Sequence, residues 1–391
     1  MDASQMEPIP IARPLLGPEE EAAAVRVLRS GWLTQGREVA AFESEFGALV
    51  KAPYACAVSS CTAALHLALV GLGIGPCDEV VTVSHSFIAA ANVIRSCGAT
   101  PVFVDVDRTT QGMDADLVER SINPRTKALL VVHQIGMPCD LTRLLLIAKR
   151  HNLHVVEDAA CALGSEILID GAWEWIGRPR GSVACFSFHP RKIISCGEGG
   201  MLTTQDSGLD RKFRRLRQHG MDVSDTVRHG AAQVVFETYL EPGFNYRMTD
   251  LQAAVGREQL KRLPFILERR RALAERYRTL LAELHGVQSP PEPAWARSNW
   301  QSYAVALPDG ANQKEVMQRM LDLGIATRRG IMNAHREQPY RASSHALPVS
   351  EWLQDRTILL PLFPDMTSDE QDRVVAALGE AITCGAALST A

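Results

Sequence analysis

From about residue 53 the chain alternates short apolar runs, rich in β-branched residues, with stretches of helical period. Residues 54–59, 79–83, 101–105, 128–133 and 153–158 read as strands. Residues 62–71, 88–97, 115–122 and 141–151 read as the helices between them. This alternation predicts βαβ units and a mostly parallel sheet with helices on both faces. The unbroken run Ala128-Leu129-Leu130-Val131-Val132 predicts a strand buried on both sides. After Asp158 the rhythm changes. Residues 183–188 and 200–204 are strand-like and joined by one loop, which suits antiparallel partners and makes the sheet mixed. A helical pattern starts at Asp250 and reaches Leu263-Pro264, where proline is expected to kink or end it. A charged helix over 268–284 follows, and Ser289-Pro290-Pro291-Glu292-Pro293 reads as a stiff linker. A strand at 303–307 and helices at 313–323 and 368–381 make a smaller α+β unit. The expectation is an α/β protein of two domains, residues 1–262 around the mixed sheet and residues 263–391 as a small C-terminal domain.

Composition adds exclusions. The 391 residues, 46% of them hydrophobic, suffice for two cores. A formal net charge of −4 gives no reason to expect nucleic acid or an anionic membrane as partner. The apolar runs are shorter than a membrane span and broken by charge or glycine. The acidic start, Met1 to Glu7, does not read as a signal peptide. Nine cysteines, at 56, 61, 77, 97, 139, 161, 185, 196 and 384, include no Cys-x-x-Cys, so neither a zinc site nor a thioredoxin-type motif is expected. Their odd number and apolar settings suit reduced thiols in a cytoplasmic protein.

The chemistry centres on Lys192, in Ser187-Phe188-His189-Pro190-Arg191-Lys192, a loop that continues into Gly197-Glu198-Gly199-Gly200. Most lysines in loops are solvated surface groups. This one lies between two strands, and glycines after it permit close approach of backbone to a ligand. Upstream, an apolar strand ends in Glu157-Asp158, and ligands of open α/β sheets sit beyond such carboxyl ends. A lysine amine near a buried carboxylate is what pyridoxal 5'-phosphate (PLP) requires. The amine joins the cofactor aldehyde, and the acid keeps the ring nitrogen protonated. Asp158, the last residue before the turn, is the favoured acid; the alternative for it is a helix N-cap. Ser60-Cys61-Thr62 opens a helix directly after a strand, which is an anion site or an ordinary cap. Ser187 offers a hydroxyl to the same phosphate, and Phe87 an aromatic face for the ring, or a core side chain.

Ordered runs along most of the chain resemble the DegT/DnrJ/EryC1/StrS family of PLP-dependent sugar aminotransferases. They are Gly31-Trp32-Leu33-Thr34-Gln35-Gly36, Ser60-Cys61-Thr62-Ala63-Ala64-Leu65-His66, Gly98 to Asp107, Glu157-Asp158-Ala159-Ala160, Ser187 to Gly200, Asn245 to Ala254 and Leu360-Pro361-Leu362. The resemblance implies the fold of fold-type-I transferases and a homodimer with active sites at the interface. It implies that Lys192 carries the cofactor and shuttles protons, and that Asp158 pairs with the ring nitrogen. Ser60, Thr62 or the amide of Cys61, and Ser187 hold the phosphate, with Phe87 over one ring face. Asn245 reaches the phosphate from the partner subunit with Arg247 nearby, and Thr34 and His189 lie near the substrate pocket. Asn245 to Ala254 also reads simply as a capped helix.

Two positions depart from the family pattern. Cys161 stands where many members have glutamine or histidine facing the cofactor, and cysteine bonds poorly to a ring hydroxyl. Cys61 stands where many have glycine. The basic run Thr327 to Arg336, which includes Arg329, is either a solvated loop or a site for a substrate phosphate or carboxylate.

The expected reaction is a two-stage amino transfer from glutamate or glutamine to a keto sugar, in particular a nucleotide-linked 4-keto-6-deoxy sugar. Transfer to a cyclitol ketone is one alternative. A sugar dehydratase is another, disfavoured because such relatives carry histidine at the position of Lys192. A non-catalytic scaffold has no use for Lys192 and Asp158.

Overall fold

The computed structural model describes residues 7–223, 228, 231–341 and 346–388. The acidic chain start up to residue 6 and the thiol of Cys384 lie outside the described residues. In chain order the first strands are β1 (Tyr54–Val58), β2 (Glu79–Val83), β3 (Thr100–Val104), β4 (Thr126–Val132) and β5 (His154–Asp158). They are followed by β6 (Glu166–Ile169), β7 (Ala172–Trp175), β8 (Val183–Ser187) and β9 (Gly200–Thr204). The helices among and around them are α1 (Pro18–Ser30), α2 (Arg37–Val50), α3 (Cys61–Gly71), α4 (Ala89–Ser96), α5 (Ala115–Ser121), α6 (Leu141–Arg150), α7 (Ser207–Leu216) and α8 (Asp250–Leu281). Short polar caps start several of them. Ser60, Asp114, Asp140, Asp206 and Thr249 each accept a backbone N–H of the first turn.

The main sheet has seven strands in the order β1-β9-β8-β5-β4-β2-β3. β9 alone runs against its neighbours, β1 and β8, so the sheet is mixed and mostly parallel, as the spacing predicted. Register brings the functional ends together. Gly200, the first residue of β9, pairs with Val58 at the end of β1 and with Ser187 at the end of β8. Asp158 pairs with Cys185 of β8 and Val132 of β4. Whatever follows Val58, Asp158 and Ser187 therefore meets along one edge of the sheet.

β1 is an edge strand, and its open side is covered by charge. Glu43 of α2 accepts the Ala57 N–H at 2.9 Å. Arg214 of α7 and Arg217 bond to the carbonyls of Ala55 and Ala57 and to the Glu43 carboxylate. An edge closed in this way cannot template another strand.

A small antiparallel sheet, β7-β6 with β10 (Ala296–Arg297), lies beside the main one. A third, β11 (Tyr303–Ala306), β13 (Thr357–Leu360) and β12 (Arg328–Arg329), carries α9 (Gln313–Asp322) and α10 (Pro348–Arg356) in its connections and is followed by α11 (Ser368–Leu388).

Two cores form. The larger surrounds the seven-stranded sheet; the second joins Ile9, Leu273, Tyr277, Tyr303, Val305, Met320, Phe363 and Leu378. α8 serves both. Leu260, Leu263, Ile266 and Leu267 face the first core, and Leu273, Ala274, Tyr277 and Leu281 the second. Of the two outcomes expected of Pro264, a kink or an end, the end does not occur. The missing hydrogen bond is outweighed by burial on either side, each large apolar side chain contributing about 1.5–3 kcal/mol.

Several elements go beyond the sequence pattern. α1 and α2 precede the first predicted strand, β6 and β7 form a hairpin, and α7, α10, β12 and β13 were not anticipated. α7 carries four cations in ten residues, and β6 and β7 are four residues each, too short for a clear period.

Candidate active site

Lys192 is half-buried, and its Nζ lies 3.0 Å from Cys161 Sγ. Its loop is self-braced. Lys192 N–H donates to His189 O at 2.8 Å, Ser195 Oγ donates to Phe188 O at 3.1 Å, and Gly197 N–H returns to Ser195 Oγ at 3.1 Å. Burial opposes the ammonium, yet the Cys161 sulfur and the Asp158 carboxylate hold its pKa above the ordinary lysine value.

Asp158 is buried at the end of β5, and its Oδ1 accepts the Ala160 N–H at 3.1 Å. No helix starts there, so the N-cap alternative is not what the fold uses. Burial raises the Asp158 carboxyl above the usual range, while the Ala160 N–H and Lys192 pull against it. Glu157 faces other partners. His133 Nε2 donates to its Oε2 at 3.1 Å and Gly181 N–H to its Oε1 at 3.2 Å. The Cys139 N–H donates to His133 Nδ1 at 3.2 Å, which places the imidazole proton on Nε2. Glu157 is thus consumed by structure, and Asp158 is the carboxylate beside Lys192.

Ser60 caps α3. Its Oγ accepts the Ala63 N–H at 3.1 Å and its carbonyl the Ala64 N–H at 3.0 Å. Among the described residues no hydrogen bond takes the amides of Cys61 and Thr62, the remaining donors of the first turn. Cys61 is buried and Thr62 exposed. Gly200 lies against this turn: a Cβ there comes within 2.5 Å of the Ser60 carbonyl carbon and 2.7 Å of the Cys61 nitrogen. Gly199 is packed likewise, with Met248 Cε 2.7 Å from its Cβ position. Gly199 and Gly200 therefore admit protein side chains and backbone, whereas a Cβ on Gly197 meets nothing within 4 Å.

The remaining candidates are less gathered. Ser187 is half-buried, and its Oγ accepts the His189 N–H at 3.4 Å. His189 Nδ1 accepts the Arg191 N–H at 3.2 Å, and Nε2 stands 4.0 Å from Glu198. Phe87 is 71% exposed. Asn245 is exposed on the segment where Tyr246 O accepts the Ser59 N–H at 2.8 Å and Arg247 bridges to Val58. Thr249 caps α8 in a capping box with Gln252, so the ordinary reading of that run holds as well. Thr34 is exposed, and its carbonyl accepts the Asp250 N–H at 3.2 Å.

The basic run is partly structured, with Arg328 and Arg329 exposed to solvent. Arg329 lies in β12 and is 3.7 Å from Glu337, His335 N–H donates to Ser84 Oγ at 2.9 Å, and Arg336 pairs with Asp355 and Glu351. His133 was missed by sequence reasoning, although its place just after β4, at a strand's carboxyl end, was a usable signal. The described cysteines are all unpaired. Among the described residues no cluster suits a metal and no helix is long and apolar enough to cross a membrane.

This donor set fits PLP: an amine beside a buried carboxylate, next to a helix start with two amides available to a phosphate. Known proteins agree with the geometry. The chain is 33% identical to the aminotransferase TlmJ from Streptoalloteichus hindustanus over 96% of this chain and 99% of that one, with a TM-score of 0.89. DesV of S. venezuelae, solved in complex with a ketimine intermediate, is 34% identical, with coverages of 96% and 98% and a TM-score of 0.85. DesI, solved in the presence of its TDP-sugar product, is 31% identical, with coverages of 98% and 95% and a TM-score of 0.88. The profile described as the DegT/DnrJ/EryC1/StrS aminotransferase family matches residues 14–379. A match over nearly the whole chain, with relatives above 30% identity covered almost end to end, shows that the chain belongs to the DegT/DnrJ/EryC1/StrS aminotransferase family.

Proposed function

We propose that this aminotransferase uses PLP to move an amino group from glutamate or glutamine to a keto sugar, in particular a nucleotide-linked 4-keto-6-deoxy sugar. The observation that carries the reading is the Lys192 amine standing beside buried Asp158 at the sheet edge where α3 begins. DesI, crystallised with a TDP-sugar, supports the nucleotide-linked substrate. The bound cofactor supplies an aldehyde that joins amines and a pyridinium ring that draws electrons from the adjoining carbon.

The chain's own residues do the rest. Lys192 would hold the cofactor through its amine and, as general base and acid, would move the proton at Nζ. Asp158 holds the ring nitrogen protonated. The amides of Cys61 and Thr62, with the hydroxyls of Ser60, Thr62 and Ser187, bind the phosphate. Phe87 covers a ring face, and Cys161 lies against Lys192. In a homodimer Asn245 and Arg247 serve the partner's site, and Thr34, His189 and Arg329 border the sugar. The chain divides into a cofactor-holding domain, residues 1–262, and a small domain, residues 263–391, and works in the cytoplasm.

The test is absorbance followed by mass. PLP-loaded protein shows a yellow band that fades on adding glutamate, and Lys192→Ala does not form it. A panel of 3-keto and 4-keto nucleotide sugars, with a cyclitol ketone, is then read for gain of an amine. No band in the wild type, or an unchanged band in Lys192→Ala, refutes the cofactor reading. Amination of the cyclitol alone refutes the sugar.

A further inference from the structure

The main chain of the Lys192 loop is held from outside by the side-chain amides of glutamines. Gln252 Nε2 donates to Glu198 O at 2.7 Å, and Gln259 Oε1 accepts the Ser195 N–H at 3.2 Å; both come from α8. The third, Gln301, comes from the segment just before β11 and donates Nε2 to Arg191 O at 2.7 Å, one residue from Lys192. Two residues before it, Asn299 donates Nδ2 to Cys161 O at 2.8 Å and to Leu163 O at 2.9 Å. Cys161 Sγ is the atom 3.0 Å from Lys192 Nζ. One short segment thus grips the backbone on both sides of that contact.

The segment is itself stiff. Gln301 N–H donates to Asn299 Oδ1 at 2.9 Å, and the Arg270 guanidinium reaches Trp300 O at 3.0 Å and Gln301 O at 3.3 Å. Trp300, between the two amides, sits at φ +52°, a left-handed conformation that a bulky residue adopts only when its surroundings impose it. Asn299 is fully buried and Gln301 nearly so, so water does not compete for these bonds.

We propose that Asn299 and Gln301 are positioning residues that set where the Lys192 amine stands relative to Asp158. The inference rests on Lys192 being the cofactor-capturing lysine. Gln313 provides a matched comparison: its Nε2 clamps Gln354 O at 2.8 Å and Thr357 O at 2.6 Å, where α10 runs into β13.

The experiment mixes cofactor-free protein with pyridoxal 5'-phosphate, quenches with borohydride at intervals, and counts labelled Lys192 by peptide mass. Gln301→Met keeps the bulk without the donor and slows labelling at least about tenfold, because a displaced amine is out of attacking geometry. Gln313→Met labels at the wild-type rate. If Gln301→Met does not fold, Gln301→Glu, which keeps length but loses the donor, is read by the same criteria. Labelling within about twofold of wild type in the Gln301 variant, or equal slowing in Gln313→Met, overturns the proposal. Failure of the wild type to label at Lys192 refutes the reading of the lysine itself.

Discussion

Gly200→Ala is the most discriminating single change. Its Cβ lands on the backbone of the α3 first turn, 2.5 Å from the Ser60 carbonyl carbon and 2.7 Å from the Cys61 nitrogen, where real Cβ contacts begin at 3.0 Å. No side chain can rotate away. β9 is fixed at this residue by pairing with both Val58 and Ser187, so the start of α3 must retreat by about half an ångström. The strain costs about 1–3 kcal/mol of stability. The same retreat draws the Cys61 and Thr62 amides away from a phosphate. Loss of one hydrogen bond to a charged group costs about 1.5–3 kcal/mol, roughly 10- to 100-fold in cofactor affinity. The assay is equilibrium titration of cofactor-free protein with PLP, read by absorbance, beside thermal unfolding of the same samples. Gly71→Ala is the control. Its Cβ overlaps the Phe213 ring at the far end of α3, so it lowers stability and leaves affinity unchanged. Affinity in Gly200→Ala within about twofold of wild type, with the protein folded, refutes the assignment of this helix start as the phosphate site.

Two further perturbations follow from the charges. In cofactor-free protein Asp158 is among the groups holding Lys192 above its ordinary pKa, so methylation of Lys192 by formaldehyde and borohydride accelerates only at strongly alkaline pH. Asp158→Asn moves that profile to lower pH, and an unmoved profile contradicts the pairing. Glu43 is buried, which alone raises its pKa, but Arg217 and Arg214 leave it below the ordinary carboxylate value. Its contribution is therefore complete above the unfolded carboxylate pKa, about 4.3, and is lost as pH falls through the lower folded value. Glu43→Ala strands buried Arg217 and costs about 3–5 kcal/mol in urea unfolding at neutral pH. A loss below about 1 kcal/mol means that the edge of β1 is held by other means.

Much of the site was legible before the fold. Lys192 and Asp158 declared themselves by position, each beside an apolar strand, and the small polar residues after β1 marked a helix start. A strand buried on both faces has no polar side to present, so the Ala128–Val132 stretch of β4 appears as an unbroken apolar run. Pro264 misled only as to an end, because proline's local cost was read without the two cores that flank it. Part of the glycine run answers to the chain itself: Gly199 and Gly200 are packed against it, while Gly197 stays open. Asn299 and Gln301 carry no local signal, since their acceptors lie more than a hundred residues away in sequence.

The sequence by itself determined the strand–helix alternation, the mixed sheet and the family, and it singled out Lys192 and Asp158 as the candidate pair. These follow from period and residue type, which are local properties of the chain. The tertiary structure decided which carboxylate was left beside the lysine, because Glu157 was taken by His133 and Gly181. It also decided how closely α3 approaches β9 and which distant amides hold the Lys192 loop. Those outcomes depend on register and packing between segments far apart in the chain, where a shift of half an ångström separates a made contact from a lost one.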